Sequence, residues 1–155
     1  MAALALALAA GCIPPPIDDP EPLVAGLLFF PDQLKPAMDT VKTVRNQAGQ
    51  ELVFDVRTAF KDPEGKALTY YWYVSWDAEA PTKPIVKDTV GTLTFVPCTS
   101  KDVLIAGARP ATHRLMVVVT NEALEDETLA TLGAADGARI AKVWWLIDFQ
   151  GTTCQ

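Results

Sequence analysis

One histidine and three cysteines in 155 residues leave little material for transition-metal chemistry. His113 is the single imidazole and no second histidine or thiol stands at ligand spacing, so a zinc-type site would have to be built from carboxylates alone. Catalysis is equally short of parts. Ser75 and Ser100 have no nucleophile motif around them, and no acid pairs with His113 at a recognisable spacing, so His113 reads as an ordinary strand residue and the chain as a non-enzyme without a cofactor. Positive charge is scarce too. Thirteen Lys and Arg against nineteen Asp and Glu give a net charge of −6 and a pI near 4.7, which removes the electrostatic footprint of a nucleic-acid partner. Long apolar runs are missing as well: residues 1–12 and 23–30 both fall short of the roughly 20 residues that cross a bilayer as a helix. No stretch shows the period of a long amphipathic helix.

What the chain does have is alternation. Across Glu51 to Trp76, Leu52, Phe54, Val56 and Phe60 fall on one side, with Glu51, Asp55, Arg57 and Lys61 between them, the pattern of a half-buried strand. Asp62-Pro63-Glu64-Gly65 then supplies a turn, Pro63 fixing φ and Gly65 accepting a positive one, and Tyr70, Trp72, Val74 and Trp76 resume the alternation. The stretch predicts a β-hairpin. Further strands are expected at Leu23 to Phe30, Met38 to Val44, Ile85 to Asp88, Gly91 to Val96, Ala111 to Asn121 and Arg139 to Phe149. A helical turn is expected over Lys101 to Ala106. Leu124 to Ala138 has no strong period and predicts a long loop with a short helix at Glu125 to Leu132. One all-β domain, a sandwich over residues 23–155, follows from the spacing.

Its head end is different. Residues 1–12 run through Ala and Leu to Gly11-Cys12, short and closed by small residues, which suits a secretion signal over residues 1–11; the cationic start of a signal is missing, so the true start is expected upstream. Leu8-Ala9-Ala10-Gly11-Cys12 resembles the lipobox of bacterial lipoproteins, with Leu8 one place further back than usual. The resemblance implies that Cys12 is acylated on its sulfur and becomes the new N-terminus, and that Ile13, in place of an Asp, directs the protein to the outer membrane. An ordinary signal is the alternative. Residues 12–22, with five prolines between Ile13 and Pro22, read as an extended tether of about 30 Å. With Cys12 given to lipid on that resemblance, Cys98 and Cys154 remain as a pair in an oxidising compartment, and a disulfide is expected. It would contribute about 4 kcal/mol through a loop of about 55 residues.

The strand series carries a second resemblance. Phe54-Asp55, Asp62-Pro63-Glu64-Gly65, Leu68-Thr69-Tyr70 and Trp72 resemble the PKD-type, immunoglobulin-like modules of bacterial surface proteins, with their alternating strand, D-P-(D/E)-G turn and L-T-Y-x-W. His113 to Asn121 is similar to their penultimate strand. The chain departs from them in lacking a Gly-Asp-Gly loop after Trp72 and in the length of Leu124 to Ala138. The resemblance implies an immunoglobulin-like sandwich with Trp72 between its sheets, and leaves function open.

Candidate contacts are few. Adjacent Trp144 and Trp145 must face opposite ways, so one of them points away from the core, covered by another segment or offered as a contact; Trp76 is a further candidate. Asp55, Asp62 and Glu64 invite a calcium site. Lys66 stands where related calcium binders tend to carry another acid, and a solvated turn is the expectation. Two functions are in play: a non-catalytic lipoprotein, held to the membrane by its lipid, that acts as a structural, adhesive or protein-interaction module of the cell envelope and meets an envelope protein, or a carbohydrate-binding module whose exposed aromatics stack on a surface glycan. An enzyme would require His113 to meet a carboxylate and a hydroxyl in a pocket.

Overall fold

A computed structural model of the chain describes residues 23–38, 42–45, 51–75, 83–95, 112–128, 133–134 and 137–150. The signal and lipobox residues, Cys12, the tether, Trp76, Cys98, the expected turn at Lys101 to Ala106 and Cys154 all lie outside them. Among the described residues there is no α-helix, only a 3-10 turn at Pro31–Gln33. The strands are β1 (Leu23–Ala25), β2 (Leu28–Phe29), β3 (Lys42–Arg45), β4 (Leu52–Asp55), β5 (Phe60–Lys61), β6 (Thr69–Ser75), β7 (Val86–Asp88), β8 (Thr92–Phe95), β9 (Thr112–Thr120), β10 (Leu124–Asp126), β11 (Gly133–Ala134) and β12 (Ile140–Gln150).

The main sheet runs β1-β12-β9-β6-β7, with β3 joining the end of β12 in parallel while β1 pairs its beginning antiparallel. Three cross-strand rows build its inner face: Tyr70–Val119–Ala141, Trp72–Val117–Val143 and Val74–Leu115–Trp145. Each row holds one aromatic ring, and the ring changes side from β6 to β12 in the third row. Large side chains therefore interleave with small ones across the central strand β9, as dense packing requires. Trp72 and Trp145 stack at 6.4 Å between centroids and 20° between planes. Opposite them lie two short ladders, β4–β8 and β2–β5, whose Phe54, Phe60 and Leu93, with Val56 just after β4, close the core; Phe54 meets the Trp145 ring at 5.1 Å. Two layers of strand around one apolar centre are consistent with a β-sandwich.

The hairpin expected over Glu51 to Trp76 does not form. β4 pairs with β8, whereas β6 lies between β9 and β7, so the Asp62 to Gly65 turn carries the chain from one layer to the other. The reason lies in β6 itself. Tyr71 and Tyr73, on the face opposite Trp72, are as fully buried as Trp72 is. A strand apolar on both faces belongs in the middle of a covered sheet. β4, whose Val53 remains 48% exposed, is a one-faced strand and pairs at the opposite layer.

The helix expected at Glu125 to Leu132 is absent from its described part, where Glu125 and Asp126 are strand and Glu127 and Thr128 are irregular. β10 pairs with β11 across a register shift, and Leu124 packs onto Tyr71, Tyr73 and Val118 as a second, smaller core on the outer side of the main sheet. The remaining described strands fall where alternation puts them, and Leu23 to Phe30 divides into β1 and β2 at Gly26.

The two core tryptophans differ in one respect. Trp145 donates its indole N–H to the Pro36 carbonyl at 2.9 Å, whereas the Trp72 indole nitrogen is buried without a partner among the described residues. Replacing either by Phe removes similar volume, but only Trp145→Phe strands an acceptor. Trp145→Phe should destabilise by about 1 kcal/mol more than Trp72→Phe in urea unfolding, with the m-value unchanged. Equal losses would mean that the Pro36 bond contributes nothing.

Candidate functional site

The D-P-E-G turn carries two of the carboxylates that invite a calcium site, and the fold puts them to a different use from a solvated turn. The Asp62 side chain is wholly shielded from solvent. Its oxygens accept from the Glu64 amide at 2.7 Å, from Asn121 Nδ2 at 2.7 Å and from Arg139 Nη1 at 3.0 and 3.1 Å. The Arg139 guanidinium also bonds Glu64 Oε1 at 2.5 Å, and Asn121 Oδ1 accepts the Arg139 backbone amide at 2.9 Å. Three chain segments thus meet at one end of the molecule: the turn, the exit of β9 and the entry to β12. Gly26, at φ +78°, lets the Arg139 stem pass, since a Cβ there would lie 2.8 Å from its Cγ.

This arrangement accounts for the charge state of Asp62. Burial pushes its pKa up, but the amide of Glu64, Arg139, Asn121 and the backbone of Lys66 outweigh it and hold the carboxyl below the ordinary 3.8. The Arg139 guanidinium bonds both carboxylates of the turn. Asp55 is committed as well: Arg57 grips it through two nitrogens, at 3.0 and 2.6 Å, and holds its pKa down. Among the described residues no group of three or more His, Cys, Asp or Glu is placed to hold a metal ion.

A shallow cleft of about 310 Å³ lies beside this turn, walled by Arg57, Lys61 and Lys66 over Phe60 and Tyr70. Its cations are answered from within: Arg57 by Asp55, Lys66 by Glu122 at 2.8 Å, and Lys61 by the Phe30 ring at 5.7 Å. Tyr70 is no acid at neutral pH, because burial and the nearby Asp88 and Asp55 raise its pKa.

The outer face of the main sheet separates the aromatic candidates. Tyr71 and Tyr73 lie under β10, with Tyr73 donating to the Glu127 carbonyl at 2.9 Å and Tyr71 accepting from the Leu124 amide at 3.4 Å. Lys87 ties this arm down from β7, bonding Glu127 at 2.6 Å and lying 5.0 Å over the Tyr71 ring. Of the tryptophan pair, Trp145 enters the core with Trp72, and Trp144 takes the outer face, partly exposed, with the Arg114 guanidinium 4.9 Å over its ring. His113 sits on β9 with its backbone opposite Ile147. Sequence reasoning missed Arg139, Asn121, Tyr71 and Tyr73. Two tyrosines alternating with Tyr70 and Trp72 were the available signal for the last pair.

No family model, curated protein or solved structure matches the chain.

Asp62 gives the site a pH signature. A carboxyl with a depressed folded pKa stabilises the fold above its unfolded value, and that contribution is lost as pH falls through the folded one. Asp62→Asn should therefore lower Tm near neutral pH and flatten, without abolishing, the fall of Tm below about pH 4, since Asp55 keeps its own share. Thermal melts of both proteins between about pH 7 and pH 3 measure this. Parallel curves would rule Asp62 out as the responsible group.

Proposed function

We propose that the chain is a lipid-anchored contact module of the bacterial envelope: an immunoglobulin-like sandwich, held through acylated Cys12 and a proline-rich tether at the outer membrane, that binds another envelope protein. The support for the anchor is the Leu8 to Cys12 motif and the Pro-rich stretch behind it. Support for the immunoglobulin-like assignment is the all-β, two-layered body with Trp72 between its layers. The observation that carries the contact role is the outer face of the main sheet, where Trp144, Met116, Leu146 and Arg114 stay partly exposed while the carboxylates of the turn are used up in internal bonds. Trp, Met and Arg are the side chains that protein interfaces favour.

The same face weighs against the glycan-binding alternative. Stacking a sugar needs an open aromatic surface, yet Tyr71 and Tyr73 are sealed beneath β10 and Arg114 already lies over Trp144.

Labelling cells with a fatty-acid analogue should mark the protein, and Cys12→Ser should lose both the label and the membrane association. Crosslinking in native membranes should yield one reproducible protein partner. Recovery of the wild-type protein in the soluble fraction with residues 1–11 intact would end the anchored reading, and crosslinking without a partner would end the contact reading.

A further inference from the structure

The patch around Trp144 has a charge pattern that its neighbours do not explain. On the outer face, Tyr73–Met116–Trp144 form one cross-strand row, with Arg114–Leu146 on one side of it and Val118–Lys142 on the other. Two cations therefore bracket the tryptophan row. Arg57, Lys66, Lys87 and Arg139 each meet a carboxylate, whereas Lys35, Lys61, Lys83, Arg114 and Lys142 pair with none among the described residues; of these, Arg114 and Lys142 share one face and flank one aromatic row. Lys142 is partly buried, and burial pushes its ammonium pKa down with no opposing charge to restore it. A half-desolvated ammonium without a counter-ion costs stability, and an apolar side chain of similar length would fill the place without that cost. These cations stand on a molecule of net charge −6.

We infer that this patch is the docking site for a protein partner that presents carboxylates around an apolar side chain. The inference rests on the contact-module reading and names the chemistry of the partner. From Lys142 to Leu146, the partner of Arg114 in the ladder, four strand residues span about 13 to 14 Å. An extended segment with acids four apart has the same length, and its middle residue, on the same face, falls over Met116 and Trp144. A uronic-acid sugar would offer the carboxylate but must displace Arg114 from the Trp144 ring to stack. An apolar side chain seated on Met116 beside the ring leaves Arg114 in place.

The test uses the full chain and a dye-labelled peptide, acetyl-Glu-Thr-Leu-Thr-Glu-amide, in fluorescence polarisation at low salt. Saturable binding is expected, weakening with added salt and absent for the analogue with Lys in place of Glu. Lys142→Met and Arg114→Gln should each reduce affinity about tenfold or more, and Lys142→Met should hold or raise Tm, separating a binding role from a structural one. The inference is overturned by no saturable binding at millimolar peptide, by equal binding of both peptides, by unchanged affinity in both variants, or by tighter binding of an oligogalacturonate. Its failure is distinguishable from failure of the contact reading: a native-membrane crosslink that forms at other residues, and survives Lys142→Met, removes the patch and keeps the module.

Discussion

The stack of Trp72 on Trp145 across β9 is the contact that the remaining structure accommodates. Two indoles on the same inner face meet over the central strand because that strand offers aliphatic side chains, Val117 and Leu115, in place of further rings. The pair fixes β6, β9 and β12 in one register, because a slip by one residue would turn every inward ring to the outer side. It also sets what the opposing layer must supply. Phe54 and Leu93, on β4 and β8, fill the hollow beside Trp145, and Phe60 closes the end with Phe29 stacked on it at 5.0 Å. Burying rings of this size supplies the largest apolar term available to a small domain, at about 25 cal/mol per Å² removed from water.

How much of this was legible depends on which residues carried the information. Alternation exposed β6, β8, β9 and β12, because their inward residues repeat every second place without interruption. Opposite orientations of Trp144 and Trp145 followed from strand geometry alone, and the structure then shows which of the two is inside. Pairing was less accessible. Asp62-Pro63-Glu64-Gly65 is a turn, as its chemistry requires, but turn chemistry does not say whether the chain returns beside itself or crosses to another sheet. The deciding fact, burial of both faces of β6, depends on an arm more than fifty residues away, so that Tyr71 and Tyr73 could be placed only after Leu124 was.

The acidic turn illustrates the same limit in electrostatics. Asp62 and Glu64 beside a lysine look like surface charge, since nothing near them in sequence compensates them. Their partner is Arg139, 77 residues from Asp62, and it approaches through the gap left by Gly26. A carboxylate with no exposed surface is tolerable only when cation and amide donors meet its oxygens, and here four groups do so. The turn expected to be solvated is thus the fastener between the β4–β6 crossover and the ends of β9 and β12.

The outer face of the main sheet obeys a different logic over its two halves. Over Tyr71, Tyr73 and Val118 the chain covers its own apolar surface with β10, satisfying both hydroxyl groups and pinning the arm through Lys87 and Glu127. Beyond Met116 the same rows continue into Trp144 and Leu146, partly exposed, with Lys142 and Arg114 flanking them. An exposed ion pair such as Lys87–Glu127 contributes little by itself, so the arm is held chiefly by Leu124 and the tyrosine bonds. Had stability been the only demand, the second half would carry threonine or valine, as β-strands prefer, and not a desolvated lysine beside an outward tryptophan. The local departure from what the fold needs coincides with the only outward tryptophan among the described residues.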